Sequence, residues 1–205
     1  QRSDRRAPRE FRRRVPTAPA LPRMQTFYPS RTGRIIPAAN CAARPSRSPV
    51  QRGKALEITS TANPEDADWL TLRAEFIPEE PPGEQRVFLR RFARESFAFR
   101  AFVARDPEAG LLGFAEVAGR TDFVTGCKHR PALFLEGIYT RPEHRGRGVA
   151  RALCEAAGRW GLERGCREFA SDVYFDDEDS LAAHRGLGFE ETDRVVYFRK
   201  SLAGD

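Results

Sequence analysis

Between Ala132 and Arg164 the apolar pattern changes period, and this change constrains the fold more than any other stretch of the chain. ALFLEGIYT, residues 132–140, reads as a strand, whereas from Gly148 to Arg164 the apolar positions Val149, Leu153, Ala156, Ala157, Trp160 and Leu162 mark the buried side of a helix. The link Arg145-Gly146-Arg147-Gly148 therefore joins a strand to a helix start. The first backbone N–H groups of a helix have no intrahelical partner, and the aligned peptide dipoles place about half a positive charge there. Gly146 and Gly148 carry no Cβ and permit positive φ, and Arg145 and Arg147 add charge, so a diphosphate can approach the amides closely. A plain glycine loop with solvated arginines would carry the same residues. The pattern Arg-x-x-Gly-x-Ala is neither the phosphate loop Gly-x-x-x-x-Gly-Lys-Ser/Thr nor the dinucleotide fingerprint Gly-x-Gly-x-x-Gly.

The remaining elements fall around this junction. Leu56–Thr59 is β-prone, and ANPEDADWLTLRAEF follows, with Asn63 as expected N-cap, Pro64 in the first turn, and Trp69, Leu70, Leu72, Arg73 and Phe76 at partial helical spacing. Trp69 is expected in the core. A second helix is expected over Glu84–Ser96, with Val87, Phe88, Arg91 and Phe92 along it. FAFRAFVARD, the turn DPEAG and LLGFAEVAG read as an antiparallel hairpin over Phe97–Gly119. A strand over Glu168–Val173, a helix over Glu178–Leu187 closed by Gly188, and strands over Phe189–Thr192 and Arg194–Arg199 complete an α/β (α+β) order with a mixed sheet.

Charge divides the chain unevenly. Residues 1–54 hold 14 Arg and Lys against two acids and eight of the 15 prolines, whereas the rest holds 21 basic and 27 acidic groups, a balance of −6. Fixing a backbone costs about 1–2 kcal/mol per residue, and a Pro- and Arg-rich stretch without apolar period has little burial to offset it. Residues 1–54 are accordingly expected to be a disordered basic extension, and 55–205 a single folded, acidic domain. Such an arm suits nucleic acid, an anionic membrane or an organelle transit signal, and equally a solvated extension. No apolar run approaches the roughly 20 residues of a bilayer span, so no membrane partner is expected. Cys41, Cys127, Cys154 and Cys166 lack paired metal spacing, and His129 near Cys127 completes no site, so no metal is expected and the thiols read as reduced, in a cytoplasmic protein.

Three ordered motifs, LEGIYTRPEHRGRGVARAL, EFASD at 168–172 and HRGLGFEETDRVVYF at 184–198, resemble those of the GNAT superfamily of acyl-CoA-dependent N-acyltransferases, in the subgroup of aminoglycoside 6'-N-acetyltransferases. The resemblance covers about Leu56–Leu202. It implies a mixed, mainly antiparallel central sheet flanked by helices, acetyl-CoA as co-substrate, and a polycationic amine as acceptor, with the 6'-amino group of an aminoglycoside acetylated. It also implies a homodimer. An enzyme of this family acting on another small amine or a protein N-terminus is the alternative, and nucleic-acid binding through the basic arm ranks below both.

Carried over residue by residue, the resemblance places Ile138, Tyr139 and Thr140 along the pantetheine arm, with an N–H near Ile138 polarising the thioester carbonyl. It places Arg145, Gly146, Arg147, Gly148, Val149, Ala150 and Arg151 around the pyrophosphate. Asp177 stands at a cofactor contact where the subgroup has Asn, and a carboxylate lacks the amide's N–H donors. Glu136, Asp172 and Asp193 correspond to the carboxylates facing the amine, and Asp172 could accept its proton. His184 stands where many superfamily members have a Tyr that protonates the departing thiolate; it either supplies that proton or packs against the cofactor. In the acceptor pocket Phe123 replaces a Tyr, and Ile77, with Phe76 beside it, stands where a Trp is usual.

Overall fold

The structure is a computed structural model that describes residues 56–95 and 97–202. The expected basic extension, 1–54, lies outside the described residues, as does Cys41. Five strands form one sheet in the order β1 (Glu57–Thr61), β2 (Ala98–Asp106), β3 (Gly110–Arg120), β4 (Ala132–Thr140) and β5 (Phe169–Ala170). All neighbours are antiparallel except β4 and β5, which run parallel. The mixed, mainly antiparallel sheet flanked by helices is thus present.

Helices cover both faces, which is why β2 and β3 are apolar almost without interruption. Helix α3 (Val149–Leu162) packs through Val149, Leu153, Ala157 and Trp160 onto Phe102, Ala115, Val117, Leu133 and Leu135. On the opposite face α1 (Ala67–Phe76) and α2 (Pro82–Glu95) set Trp69, Leu72, Leu89 and Phe92 against Phe99, Ala101, Val103, Phe114 and Tyr139. Helix α4 (Glu178–Leu187) follows β5 and ends at Gly188 in the left-handed region, φ 98°.

Several local expectations are corrected. Asn63 is not the N-cap of α1: its side chain accepts from the Glu65 N–H at 3.1 Å and closes a turn, so the helix begins only after Asp66, whose carboxylate accepts from the Trp69 N–H at 3.1 Å. Helix α2 carries the expected residues along it: Leu89 and Phe92 are buried, Val87 is 65% exposed, and the buried Gln85 donates to the carbonyls of Ile77 and Glu80. In α3, Leu162 is exposed and Gly161 takes the inner place, since a Cβ there would stand 2.8 Å from the Leu133 side chain.

The expected strand 168–173 shortens to Phe169–Ala170, because the Glu168 side chain accepts from the N–H groups of Lys128 and His129 and Ser171 already leaves the ladder. Neither expected strand after α4 forms. Residues 189–202 run without a ladder partner, and Val196, Tyr197 and Phe198 are exposed. Alternation alone does not make a strand when no neighbouring edge is long enough to pair with it.

One polar cluster crosses the apolar layer. Glu116, on β3, accepts from Trp69 Nε1 at 2.7 Å and, through both carboxylate oxygens, from Arg73 Nη1, and Glu116 and Arg73 are each 1% exposed. Removing one partner of such a pair leaves the other charge buried. Glu116→Ala is therefore expected to lower stability by about 3–5 kcal/mol, read as a large fall in Tm, whereas a loss under about 1 kcal/mol would mean that the pair holds α1 no better than a surface ion pair does.

Candidate active site

The site is built where β4 changes its neighbours. Against β3, Leu135 pairs with Val117 and Gly137 with Glu116, so Glu136 is an extra residue bulged out of the ladder. The bulge reverses the alternation: Leu133 and Leu135 face α3 before it, and Ile138 faces α3 after it, while Tyr139 turns to the α1 side. Glu136 itself shares a face with Phe134, Glu116 and Arg120.

On its other side β4 pairs with β5 only at Leu133 and Phe134, and beyond these the two strands part. Backbone groups of an antiparallel strand point alternately toward and away from the partner. Since the Arg141 N–H donates to the Leu112 carbonyl at 2.9 Å, the N–H and C=O of Ile138 and Thr140 point away from β3, into the opening. Gly113 permits the close approach on the β3 side, for a Cβ there would stand 2.3 Å from the Tyr139 carbonyl oxygen. Tyr139 itself is buried; its hydroxyl donates to Glu75 at 3.4 Å, and Glu75 is clamped in turn by Arg141. Of the three arm residues expected, Ile138 and Thr140 offer backbone to the opening, and Tyr139 offers packing.

The loop after β4 runs through a short 3-10 turn, Pro142–His144, into Gly146 and Gly148, with φ of 72° and 87°. Both require glycine for conformation rather than space, as nothing lies within 4 Å of an added Cβ. Helix α3 starts with no side-chain cap and no acid in its first turn. The N–H groups of Val149, Ala150 and Arg151 thus have no side-chain acceptor where a helix start favours negative charge. Arg145 folds back, its Nε donating to the Thr140 carbonyl at 3.1 Å, and Arg147 is exposed. Arg151 is committed elsewhere: Nη2 donates to the Gly186 carbonyl at 2.7 Å and caps the C-terminal end of α4. An uncapped helix start flanked by glycines in the left-handed region, next to an opened strand, fits the diphosphate and amide arm of a coenzyme A thioester.

Across the opening, Glu136 is nearly buried, and burial pushes its carboxyl up to about 7 against the pull of Arg120, with Asp172 and Glu116 adding to the rise. Asp172 is exposed and lies within electrostatic reach of Glu136, so these two expected carboxylates are brought together. Asp193 is exposed in the segment after α4; its neighbour Thr192 touches Gly126, which sets it beside the loop of Phe123. Phe123 is 67% exposed, with the Arg130 guanidinium 5.8 Å from its ring. Ile77 ends α1, its N–H donating to the Arg73 carbonyl, and Trp69 is a core residue, as expected.

His184, on α4, is held through both ring nitrogens. Nδ1 lies 2.8 Å from the Ser180 carbonyl, which can only accept, so Nδ1 carries hydrogen and Nε2, 3.0 Å from Ser171 Oγ, is the nitrogen free to gain or lose a proton. Asp177 proves to be the N-cap of α4, accepting from the Ser180 N–H at 2.9 Å, which gives the carboxylate at this position a structural duty. Ser171, Arg120 and Glu116 carry no expectation from sequence. Ser171 adjoins Asp172 in FASD, and Arg120 opens RTDFVTG, but their partners are fixed only by the fold. Among the described residues no group of three or more His, Cys, Asp or Glu is placed to hold a metal ion, and no helix is long and apolar enough to cross a membrane.

Residues 67–189 match the acetyltransferase (GNAT) family, and the chain belongs to it. It is similar to the aminoglycoside N(6')-acetyltransferase type 1 of Serratia marcescens, 41% identical over 134 residues, 65% of this chain and 91% of that protein. The enzyme of the same name from Stenotrophomonas maltophilia is 42% identical over 142 residues, 69% of this chain and 91% of that one. Among solved structures, AAC(6')-Iy in complex with the bisubstrate analog CoA-S-monomethyl-acetylneamine superposes with TM-score 0.65 at 35% identity, covering 72% of this chain and 99% of that one. The aminoglycoside 6'-N-acetyltransferase AAC(6')-Ih from Acinetobacter baumannii gives TM-score 0.65 at 32% identity, with 73% and 100% covered.

Because the Glu136 carboxyl is raised from the ordinary 4.5 to about 7, the folded chain holds more protons than the unfolded chain between these values. Stability contributed by this group then falls as pH rises through that window. Thermal melts from pH 4.5 to 8 should show this slope in the wild type and a flatter one in Glu136→Gln; parallel curves would mean that Glu136 titrates normally.

Proposed function

We propose that the chain transfers the acetyl group of acetyl-CoA to the 6'-amine of aminoglycosides, inactivating them as antibiotics. One observation carries the reading. The opening between β4 and β5, with Ile138 and Thr140 backbone groups turned into it, leads on one side to the uncapped start of α3 and on the other to the carboxylates Glu136 and Asp172.

Acetyl-CoA supplies an activated acyl group whose C–S bond breaks as the C–N bond forms. The N–H groups of Val149, Ala150 and Arg151, with Gly146, Arg147 and Gly148, would hold its diphosphate, and Ile138 and Thr140 its amide arm. Arg145, folded onto the Thr140 carbonyl, sets the loop, and Arg151 and Asp177 act by fixing α4 rather than by touching phosphate. An N–H at Ile138, aimed into the opening, would stabilise charge developing on the acyl oxygen.

Glu136 and Asp172 hold the ammonium of the acceptor, with Asp193 contributing from beside the Phe123 loop. An ammonium has no lone pair, so Asp172, the exposed acid of the pair, takes a proton from it before attack. His184 returns a proton through Nε2 to the leaving sulfur, since Nδ1 is tied to the Ser180 carbonyl. Phe123 and Ile77 line an acceptor pocket without the hydroxyl and the large ring that the resemblance implies there. The acidic folded part suits a polycationic ligand better than nucleic acid, and we place the reaction in the cytoplasm.

Purified protein mixed with acetyl-CoA and kanamycin or tobramycin should release free thiol and give a drug heavier by one acetyl group. Asp172→Asn should lower kcat/KM for the drug by about 10²-fold or more. Acetylation of a polyamine or a protein N-terminus with every 6'-amino drug untouched would assign the same site to another amine.

We also infer a homodimer, supported by the segment Arg194–Arg199, whose sequence alternates like a strand but which forms no ladder among the described residues and exposes Val196, Tyr197 and Phe198. Sedimentation at micromolar concentration should give twice the 23.1 kDa chain mass. Val196→Asp with Phe198→Asp should shift it to monomer; a wild-type monomer would overturn the inference.

A further inference from the structure

Arg120, the last residue of β3, is among the described residues the one cation bonded to Glu136, and the way it binds is asymmetric. Its Nε and Nη2 both donate to the same oxygen, Glu136 Oε1, at 3.2 and 2.8 Å, and among the described residues none donates to Oε2. Oε2 is not among the fully enclosed polar atoms without a partner, so it stays accessible to solvent. The guanidinium is held from the other side by Phe134, with its carbon 3.4 Å from the ring centroid, and Phe134 is itself buried. A guanidinium stacked on a fixed ring and bonded edge-on has little freedom to follow a moving carboxylate.

We propose that Arg120 is a positioning residue for the acceptor: stacked on Phe134, it grips Glu136 by Oε1 and presents Oε2 to the incoming ammonium. This rests on the reading of Glu136 as an acceptor carboxylate. The bulge explains why such a grip is needed. It leaves Glu136 out of the ladder, with the carboxylate Glu116, from β3, on the same face and Asp172, from the segment after β5, within electrostatic reach. Arg73, from α1, neutralises Glu116, but among the described residues only Arg120 bonds to Glu136 itself. Burial and the two nearby acids drive this carboxyl toward its neutral form, and the arginine opposes them. Without it, Glu136 would be protonated over more of the neutral range and free to turn away.

The test compares wild type with Arg120→Gln and Arg120→Lys, each first checked for a cooperative melt. Carboxyl ¹³C titration of Glu136, assigned with Glu136→Gln, needs no acceptor. Its midpoint should rise by about one pH unit or more in Arg120→Gln and by less in Arg120→Lys, which keeps the charge but not the planar fork. Kinetics should follow. In Arg120→Gln, kcat/KM for the aminoglycoside falls about tenfold at pH 7 and recovers above pH 8.5, while KM for acetyl-CoA stays within about twofold. An unmoved Glu136 titration, or a loss equal at every pH and shared by both substrates, would overturn the proposal. If the wild type acetylates no aminoglycoside but the Glu136 midpoint moves as stated, the acceptor assignment fails and the grip of Arg120 on Glu136 stands.

Discussion

A carboxylate at the centre of an apolar sheet must be paired or it cannot stay there, and Glu116 is paired with residues from one helix only. Trp69 and Arg73, one turn apart on α1, both reach it, so α1 is fixed in rotation as well as position. The consequences spread outward from that contact. Ile77 and the loop carbonyls that Gln85 binds follow from where α1 ends, and the rotation of α2 follows from Gln85. Glu75, two residues beyond Arg73, meets Arg141 and Tyr139 at the far end of β4. A helix that carries few buried apolar side chains of its own is thereby tied to the strand that forms the site.

Strand β4 serves two neighbours in turn. As far as Phe134 it is an interior strand, paired on both sides; after the bulge at Glu136 it is paired on one side only, and backbone groups of Ile138 and Thr140 face away from β3. The bulge and the parting from β5 occur within three residues of each other. The same short stretch therefore carries both the carboxylate and the row of unpaired amides on which the proposed reaction rests. The left-handed glycines and the uncapped start of α3 extend that row, and Arg151 links α3 to the end of the helix that carries His184.

Much of this was legible in the sequence where the signal is local. The hairpin β2–β3, the bounds of β4 and α4, the glycines before α3 and the core place of Trp69 follow from period and turn chemistry. The positions of Glu136, Asp172 and His184 came from motif resemblance. The missed features share a different character. Asn63 and Asp66 are equally good caps, and only the turn that Asn63 closes decides between them. Which side of α2 is buried, left open by its spacing, goes with hydrogen bonds from Gln85 to carbonyls in another segment. The alternation in Arg194–Arg199 is real but meets no partner edge among the described residues.

What the sequence by itself determined is the order of elements and the chemistry available at each: glycines where φ must be positive, acids and a histidine on the motifs, apolar faces at the right period. These are properties of a few neighbouring residues, set by backbone sterics and burial. Only the tertiary structure decided which charges meet. The pairs Arg73–Glu116 and Arg120–Glu136 lie 43 and 16 residues apart, and the second exists because the register of β3 on β4 sets Arg120 on the face that Phe134 and Glu136 share. Register and burial, which no local pattern encodes, converted a surface-like glutamate into a partly neutralised one aimed at the cleft.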